Sequence, residues 1–230
     1  AVVSRIEQHV VRAHAMDKIE MLARILQADG RGPTIVFCRT KRTAQKTSDD
    51  LFERGFRAAT IHGDLGQSAR EKALNDFKAG KSDVLIATDV AARGIDIDGI
   101  THVINYQCPE DEKTYVHRIG RTARAGAAGI AVTFVDWDEL ARWKMIDTAL
   151  VLGLPEPVET YSSSEHLFEM LNIPAGSTGR MTKKSATAVD KPKSDRPKSD
   201  RPRSEKAVEP KKPAAERVKR ERTRTKRISE

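Results

Sequence analysis

The sequence predicts an α/β fold, a mostly parallel sheet with helices on both faces, followed by a basic C-terminal tail. Two observations carry this. Short apolar runs alternate with helical stretches along the first two thirds of the chain, and those runs show little polar alternation, so both faces of each strand belong in a core. In order, Ile19, Leu22, Ile25 and Leu26 fall at helical spacing after Asp17, a candidate N-cap, and the pattern stops at Gly30. "TIVFC" (Thr34 to Cys38) reads as a strand, Lys41 to Arg54 as a helix ended by Gly55, and Ala58 to Ile61 as a second strand. A helix from Ser68 to Ala79 closes at Gly80, strands follow from Asp83 ("DVLIAT") and His102 ("HVINY"), then a helix around His117 to Gly126 and a strand from Ile130 ("IAVTFV"). Asp136 then caps a helix, with Glu139 three residues on in the pattern of a capping box. In parallel sheets ligands collect beyond the carboxyl ends of the strands, so the loops "FCRTKR", "HGDLGQSAR" and "ATDVAARGID" are expected on one rim.

Charge divides the chain. The 230 residues carry a formal +8, but from Lys183 to Glu230 there are 18 Lys and Arg against 8 Asp and Glu, leaving 23 against 25 before it. A nearly neutral body therefore precedes a strongly basic tail, with "KSDRP" at Lys193 repeated at Lys198. Too little apolar surface remains there to offset the entropy of ordering, so 183–230 is expected to be disordered, 155–182 partly ordered, and 1–154 the main domain. Phe168, Met170, Leu171 and Ile173 are candidates for a last docked segment. Such a tail attracts phosphate without sequence preference. Cys38 and Cys108 lack the spacing of a zinc site or disulfide framework and read as buried or half-buried thiols in a reducing compartment, with no metal ligand set. No apolar run reaches the about 20 residues of a membrane helix, and the basic, repeat-bearing tail suits a cytoplasmic protein. The chain begins at Ala1 in mid-pattern, which reads as a fragment or a processed segment.

"HRIGRTARAG" (His117 to Gly126) places Arg118, Arg121 and Arg124 three residues apart with no carboxylate among the ten. On a helix, three guanidinium groups at that step project together and repel one another unless an anion lies between them. A planar fork of permanent charge suits phosphate. Alone, such a row reads more readily as a solvated basic face than as a site.

Together, "IVFCRT", "HGDLGQSAR", "ATDVAARGID" and "HRIGRTARAG" resemble motifs IV, IVa with its Gln-x-x-Arg, V and VI of the DEAD-box RNA helicases, in that family's order. The resemblance covers Val3 to Leu154 and implies the second of two RecA-like domains, a three-layer sandwich. It further implies that Arg121 and Arg124 reach the γ-phosphate of ATP as arginine fingers, and that Gly94 and Asp96 meet the nucleotide, Asp96 at the ribose. RNA contacts are implied for Arg39, Thr40, Gly63, Asp64, Gln67, Arg70, Thr88, Asp89, Arg93, His117 and Arg118, the last two linking RNA to domain closure. One departure is Ala123, where many members have glycine; on a helix its methyl group is expected to be tolerated.

No Gly-x-x-x-x-Gly-Lys-Ser/Thr loop, Asp-Glu-Ala-Asp or Ser-Ala-Thr occurs in the chain. By the resemblance these belong to an N-terminal RecA-like domain, which would hold ATP and Mg2+ while this chain, inactive alone, supplies arginine fingers and RNA-backbone contacts to a monomeric helicase. Two other readings stay open: a noncatalytic RNA-binding RecA-like module, and a DNA-directed superfamily 2 motor domain.

Overall fold

The computed structural model describes residues 5–95, 97–124 and 127–181. The expected basic tail, Asp96 and Gly126 therefore lie outside the described residues. In chain order the elements are β1 (Ile6–Ala13), α1 (Lys18–Ile25), β2 (Thr34–Cys38), α2 (Lys41–Glu53), β3 (Ala58–Ile61), α3 (Gln67–Lys78), β4 (Val84–Thr88) and α4 (Asp89–Ala92). There follow β5 (His102–Asn105), α5 (Glu112–Ile119), β6 (Gly129–Val135), a 3-10 turn (Trp137–Glu139), α6 (Leu140–Leu150), β7 (Val158–Thr160) and α7 (Glu165–Met170).

The strands form one sheet in the order β3-β4-β2-β5-β6-β1-β7, and every neighbouring pair is parallel. Strand alternation divides the apolar side chains between two faces. Val36 and Cys38 of β2, with Val84, Ile86, Val132 and Phe134, pack under α1, α2 and α7 through Met21, Leu22, Leu51 and Leu167. Ile35 and Phe37, with Leu85 and Ala87, face Phe77 of α3 and Ala91 and Ala92 of α4. On that same side Ala131 and Val135 of β6 meet Tyr115 and Ile119 of α5 and Trp143 and Ile146 of α6. Each large apolar side chain buried this way contributes about 1.5–3 kcal/mol, and the result is the expected three-layer sandwich. Leu171 and Ile173 join the first cluster, with Phe168 and Met170 packed against it.

Several local expectations change. Asp17 precedes α1, but its carboxylate makes no cap bond; it accepts from the Ser162 backbone N–H at 2.6 Å and the Ser162 hydroxyl at 2.8 Å. The first helix ends at Ile25, and Gly30 makes the later turn at φ +77°. The helix expected around His117 to Gly126 begins earlier, capped by Asp111 (Thr114 N to Oδ1 2.7 Å), and stops at Ile119. Arg121 and Arg124 therefore follow the helix, so the three arginines share no helical face. Asp136 and Glu139 do form the capping box, although its first turn is 3-10. The edge strand β7 and the strand β1, which sits between β6 and β7, were not signalled by the sequence.

Because all strands run one way, the loops after β2, β3 and β4 open on one rim, as expected. β4 and β5 flank β2, so the loops after these three strands meet where the strand order reverses, the place where ligands bind in open α/β sheets.

Candidate functional site

At the centre of the rim Arg118 is 1% exposed. Its Nε and Nη2 grip the Asp89 carboxylate at 2.8 and 2.7 Å, and Nη1 donates to Asn105 Oδ1 at 3.2 Å and to the Gln107 carbonyl at 3.1 Å. Phe37 lies under the guanidinium, 5.4 Å away. The anion that the sequence left open is thus supplied from within for this arginine. A bidentate fork joins α5 to the first residue of α4, and Asn105 is itself braced by an N–H bond to Thr133 Oγ1 at 2.9 Å. The expectation of three unneutralised guanidinium groups is corrected on this point.

Beyond the helix, Arg121 Nη1 donates to the Ile95 carbonyl at 3.0 Å, and Arg124 Nε to the Gly120 carbonyl at 3.4 Å. The arginine segment therefore touches the stretch after β4, next to Gly94, which turns the chain at φ +72°. Ala123 is at φ +55°, so it is not helical as expected; it takes the left-handed conformation that glycine adopts freely. Its neighbour Thr122 donates its hydroxyl to the Ile100 carbonyl at 2.6 Å. At Gly129 a Cβ would fall 2.2 Å from Thr122 Oγ1 and 2.9 Å from the Ala123 nitrogen, so the backbone is closely packed where glycine is absent from position 123.

An open cavity of about 300 Å³ brings together Asp89, Arg93, His117, Arg118 and Arg121 with Asp111. Arg93 and His117 are exposed there. Thr88 is buried at the end of β4. Arg70 reaches the same loop, Nη2 donating to the Ala91 carbonyl at 2.8 Å. Gly63 has an ordinary φ and no atom within 4 Å of where a Cβ would stand, so the fold itself does not require glycine there. Asp64 is exposed and paired with Lys41 at 2.7 Å, whose hydrogen bond holds the carboxyl below its usual range. Gln67 opens α3 and donates to Glu71 at 2.7 Å, while Thr40 caps α2 by accepting from Thr43 N at 3.1 Å. Arg39 turns away from the cavity: its guanidinium is bonded to Glu139, and its backbone N–H donates to Gln107 Oε1 at 3.0 Å.

Glu139 is the organising residue that sequence reasoning saw only as a cap. At 3% exposure its carboxylate receives Arg39, the backbone N–H of Cys108 (3.3 Å) and of Asp136 (3.1 Å), with Lys18 Nζ at 3.8 Å and Arg142 Nη1 at 3.7 Å. The capping-box spacing was its only local signal; its partners lie far away in sequence. Behind the site, burial pushes the Cys38 thiol up to about 12.

The profile of the helicase conserved C-terminal domain matches residues 17–126. The ATP-dependent RNA helicase CshA of Listeria monocytogenes is 50% identical over 142 residues, covering 62% of this chain and 27% of that protein, so the chain spans about a quarter of this curated relative. Among solved structures, the E. coli DEAD-box protein SrmB bound to the regulator of ribonuclease activity A is similar at TM-score 0.63 and 33% identity, over 70% of this chain and 93% of that one. S. cerevisiae Dbp5 bound to RNA and ADP BeF3 is similar at TM-score 0.62 and 32% identity, over 73% of this chain and 44% of that one. With motifs and fold in agreement over 93% of that SrmB chain, this chain belongs to the DEAD-box protein family, and its residues 17–126 are the helicase conserved C-terminal domain.

Proposed function

We propose that this chain is the C-terminal half of an ATP-dependent RNA helicase, which remodels RNA when nucleotide and RNA draw it against an N-terminal RecA-like domain of the same monomeric, cytoplasmic protein. The observation that carries this reading is the meeting of the arginine segment with the loop after β4, Arg121 Nη1 on the Ile95 carbonyl at 3.0 Å, beside the buried Asp89–Arg118 fork. That contact ties the proposed nucleotide side to the proposed RNA side through rigid parts.

In this reading Arg121 and Arg124 face the γ-phosphate across the cleft. A guanidinium held in place before the reaction stabilises the charge that develops on the transferring group more than it stabilises the ground state. Such a finger is worth 10³–10⁵ in rate, about 4–7 kcal/mol. Gly94 and Asp96 would meet the nucleotide, Asp96 at the ribose. The N-terminal domain would hold most of the ATP, together with Mg2+, whose chemistry is to neutralise phosphate charge. The residues present fit that share of the work, because Arg121 lines the open cavity on the rim and is held there by the Ile95 carbonyl.

RNA would lie along the rim against Thr88, Asp89, Arg93, Gly63, Asp64, Gln67, Arg70, Arg39, Thr40 and His117, with Arg118 buried behind Asp89. Gly63 supports this most simply: the fold leaves open space where its side chain would be, as close approach of a phosphate to backbone N–H requires. Arg118 acts here through Asp89, holding the loop after β4 in register with α5. Contacts to one backbone bind a bent single strand and are incompatible with a regular duplex.

Hydrolysis by the full-length protein tests the reading. It is expected to be stimulated by single-stranded RNA more than by DNA of the same sequence, and to be absent from the isolated chain. Full activity in the isolated chain, or no response to RNA, contradicts it, and equal stimulation by DNA favours a DNA-directed motor.

A further inference from the structure

Trp137 stands at the carboxyl end of β6, on the same rim as the proposed RNA contacts, and is 41% exposed. The Arg12 guanidinium lies over its ring, 5.2 Å from the centroid, and His14 meets it edge to face at 5.9 Å. Arg12 is held in turn by Glu159 at 3.0 Å. The indole is therefore oriented on one side and open on another, although a large apolar ring at that position contributes little to the core. Two residues on, Glu139 carries the guanidinium of Arg39. The 3-10 turn thus fixes the indole relative to a proposed RNA contact. β5 and β6 separate β2 from β1, on whose end the ring leans, so the ring lies up to three strand spacings, about 14 Å, from the end of β2 along the rim.

The charges nearby decide the ligand chemistry. Asp136 and Asp138 flank Trp137 in the chain, and Glu159 pairs with the Arg12 that lies over its ring; Asp136 is engaged by Lys18 at 3.6 Å, and Glu159 also accepts from Tyr161. These carboxylates oppose a phosphate at this spot and leave the uncharged face of a base as the suitable partner. Base stacking on aromatic side chains is tolerant of sequence and is strengthened by an adjacent guanidinium.

We propose that Trp137, oriented by Arg12 and His14, is a stacking platform for an unpaired base of the RNA strand that passes Arg39. This rests on the RNA reading above and adds a base contact to an interface otherwise made of backbone contacts.

The chain has two tryptophans, and the other, Trp143, is fully buried, so emission changes on ligand addition report Trp137. The 230-residue chain is titrated with fluorescently labelled oligouridylate, following indole emission and RNA anisotropy together. Quenching that saturates with the anisotropy is expected, and it should be lost when the base at the stacking position is replaced by an abasic residue. Trp137→Ala should weaken binding about 5- to 100-fold, by the same factor at low and high salt because stacking releases no counterions, and Trp137→Phe should restore most of it. RNA that binds with unchanged emission and equal affinity for Trp137→Ala overturns the platform and leaves the RNA reading intact. RNA that does not bind at all overturns both.

Discussion

Arg118 and Arg121 are three residues apart and do different work. Removing Arg118 leaves Asp89, Asn105 and the Gln107 carbonyl without their donor in a buried setting, so Arg118→Ala should cost about 2–4 kcal/mol, seen as a lower denaturant midpoint. Arg121→Ala should lower that midpoint by less, about 1 kcal/mol or under, because Arg121 is half-buried at an open cavity whereas Arg118 is enclosed. The sequence showed three equivalent arginines because the neutralising carboxylate, Asp89, lies 29 residues away. Ala123 was misjudged for a related reason: its left-handed φ depends on where the helix stops. Ala123→Gly should stay within about 1 kcal/mol of the parent, relief of strain offsetting chain entropy, whereas Ala123→Val should cost about 2 kcal/mol, checked by the same denaturation. At Cys38 and Cys108 burial raises both thiols to about 12. The reactive thiolate is therefore scarce at neutral pH, and neither should be alkylated by iodoacetamide at pH 8 until the chain is unfolded.

At the level of elements, legibility followed apolar runs and clear flanking helix ends. β2 and β3 were read to the residue because their side chains are uniformly apolar or flanked by clear helix ends. β1 was missed because Glu7, Gln8, His9 and Arg12 interrupt its apolar pattern; partners on both sides, β6 and β7, make it a strand. The segment from Pro174 to Met181 falls in the stretch expected to be partly ordered, and its composition does not reveal that it is strapped to α1 and to the end of α2. Glu20 Oε1 accepts from the Gly179 N–H at 2.9 Å, Arg54 donates to the Gly179 carbonyl at 2.8 Å, and the Met181 N–H donates to the Arg54 carbonyl at 2.8 Å. A Cβ at Gly179 would fall 2.1 Å from the Glu20 carboxylate, so Gly179→Ala should release the strap, raising hydrogen exchange at the Gly179 and Met181 amides while the sheet stays protected. Acid should act the same way. Burial pushes the Glu20 carboxyl up, but Arg54 and Arg24 outweigh it and hold the group below 4.5. A lowered carboxyl stabilises above its unfolded value and loses that contribution as pH falls through the folded one, so the strap amides should exchange faster, relative to the intrinsic rate, as pH falls below the ordinary carboxylate range.

For the whole molecule, the rim was the most legible feature. Parallel strands place every loop after a strand on one side, so four short motifs far apart in sequence were expected to converge, and the loops after β2, β3 and β4 do. Which side chains then face outward was not legible, because it depends on long-range pairing: Arg39 is drawn to Glu139 and Arg118 to Asp89, whereas Arg93 and His117 remain exposed at the cavity. The central claim is that Arg121 completes, from this domain, a nucleotide site built mainly on another. The most direct measurement is RNA-stimulated ATP hydrolysis by the full-length protein carrying Arg121→Ala, with RNA affinity measured alongside. The account predicts a kcat lower by 10³–10⁵ with RNA still bound; turnover equal to that of the parent would contradict it.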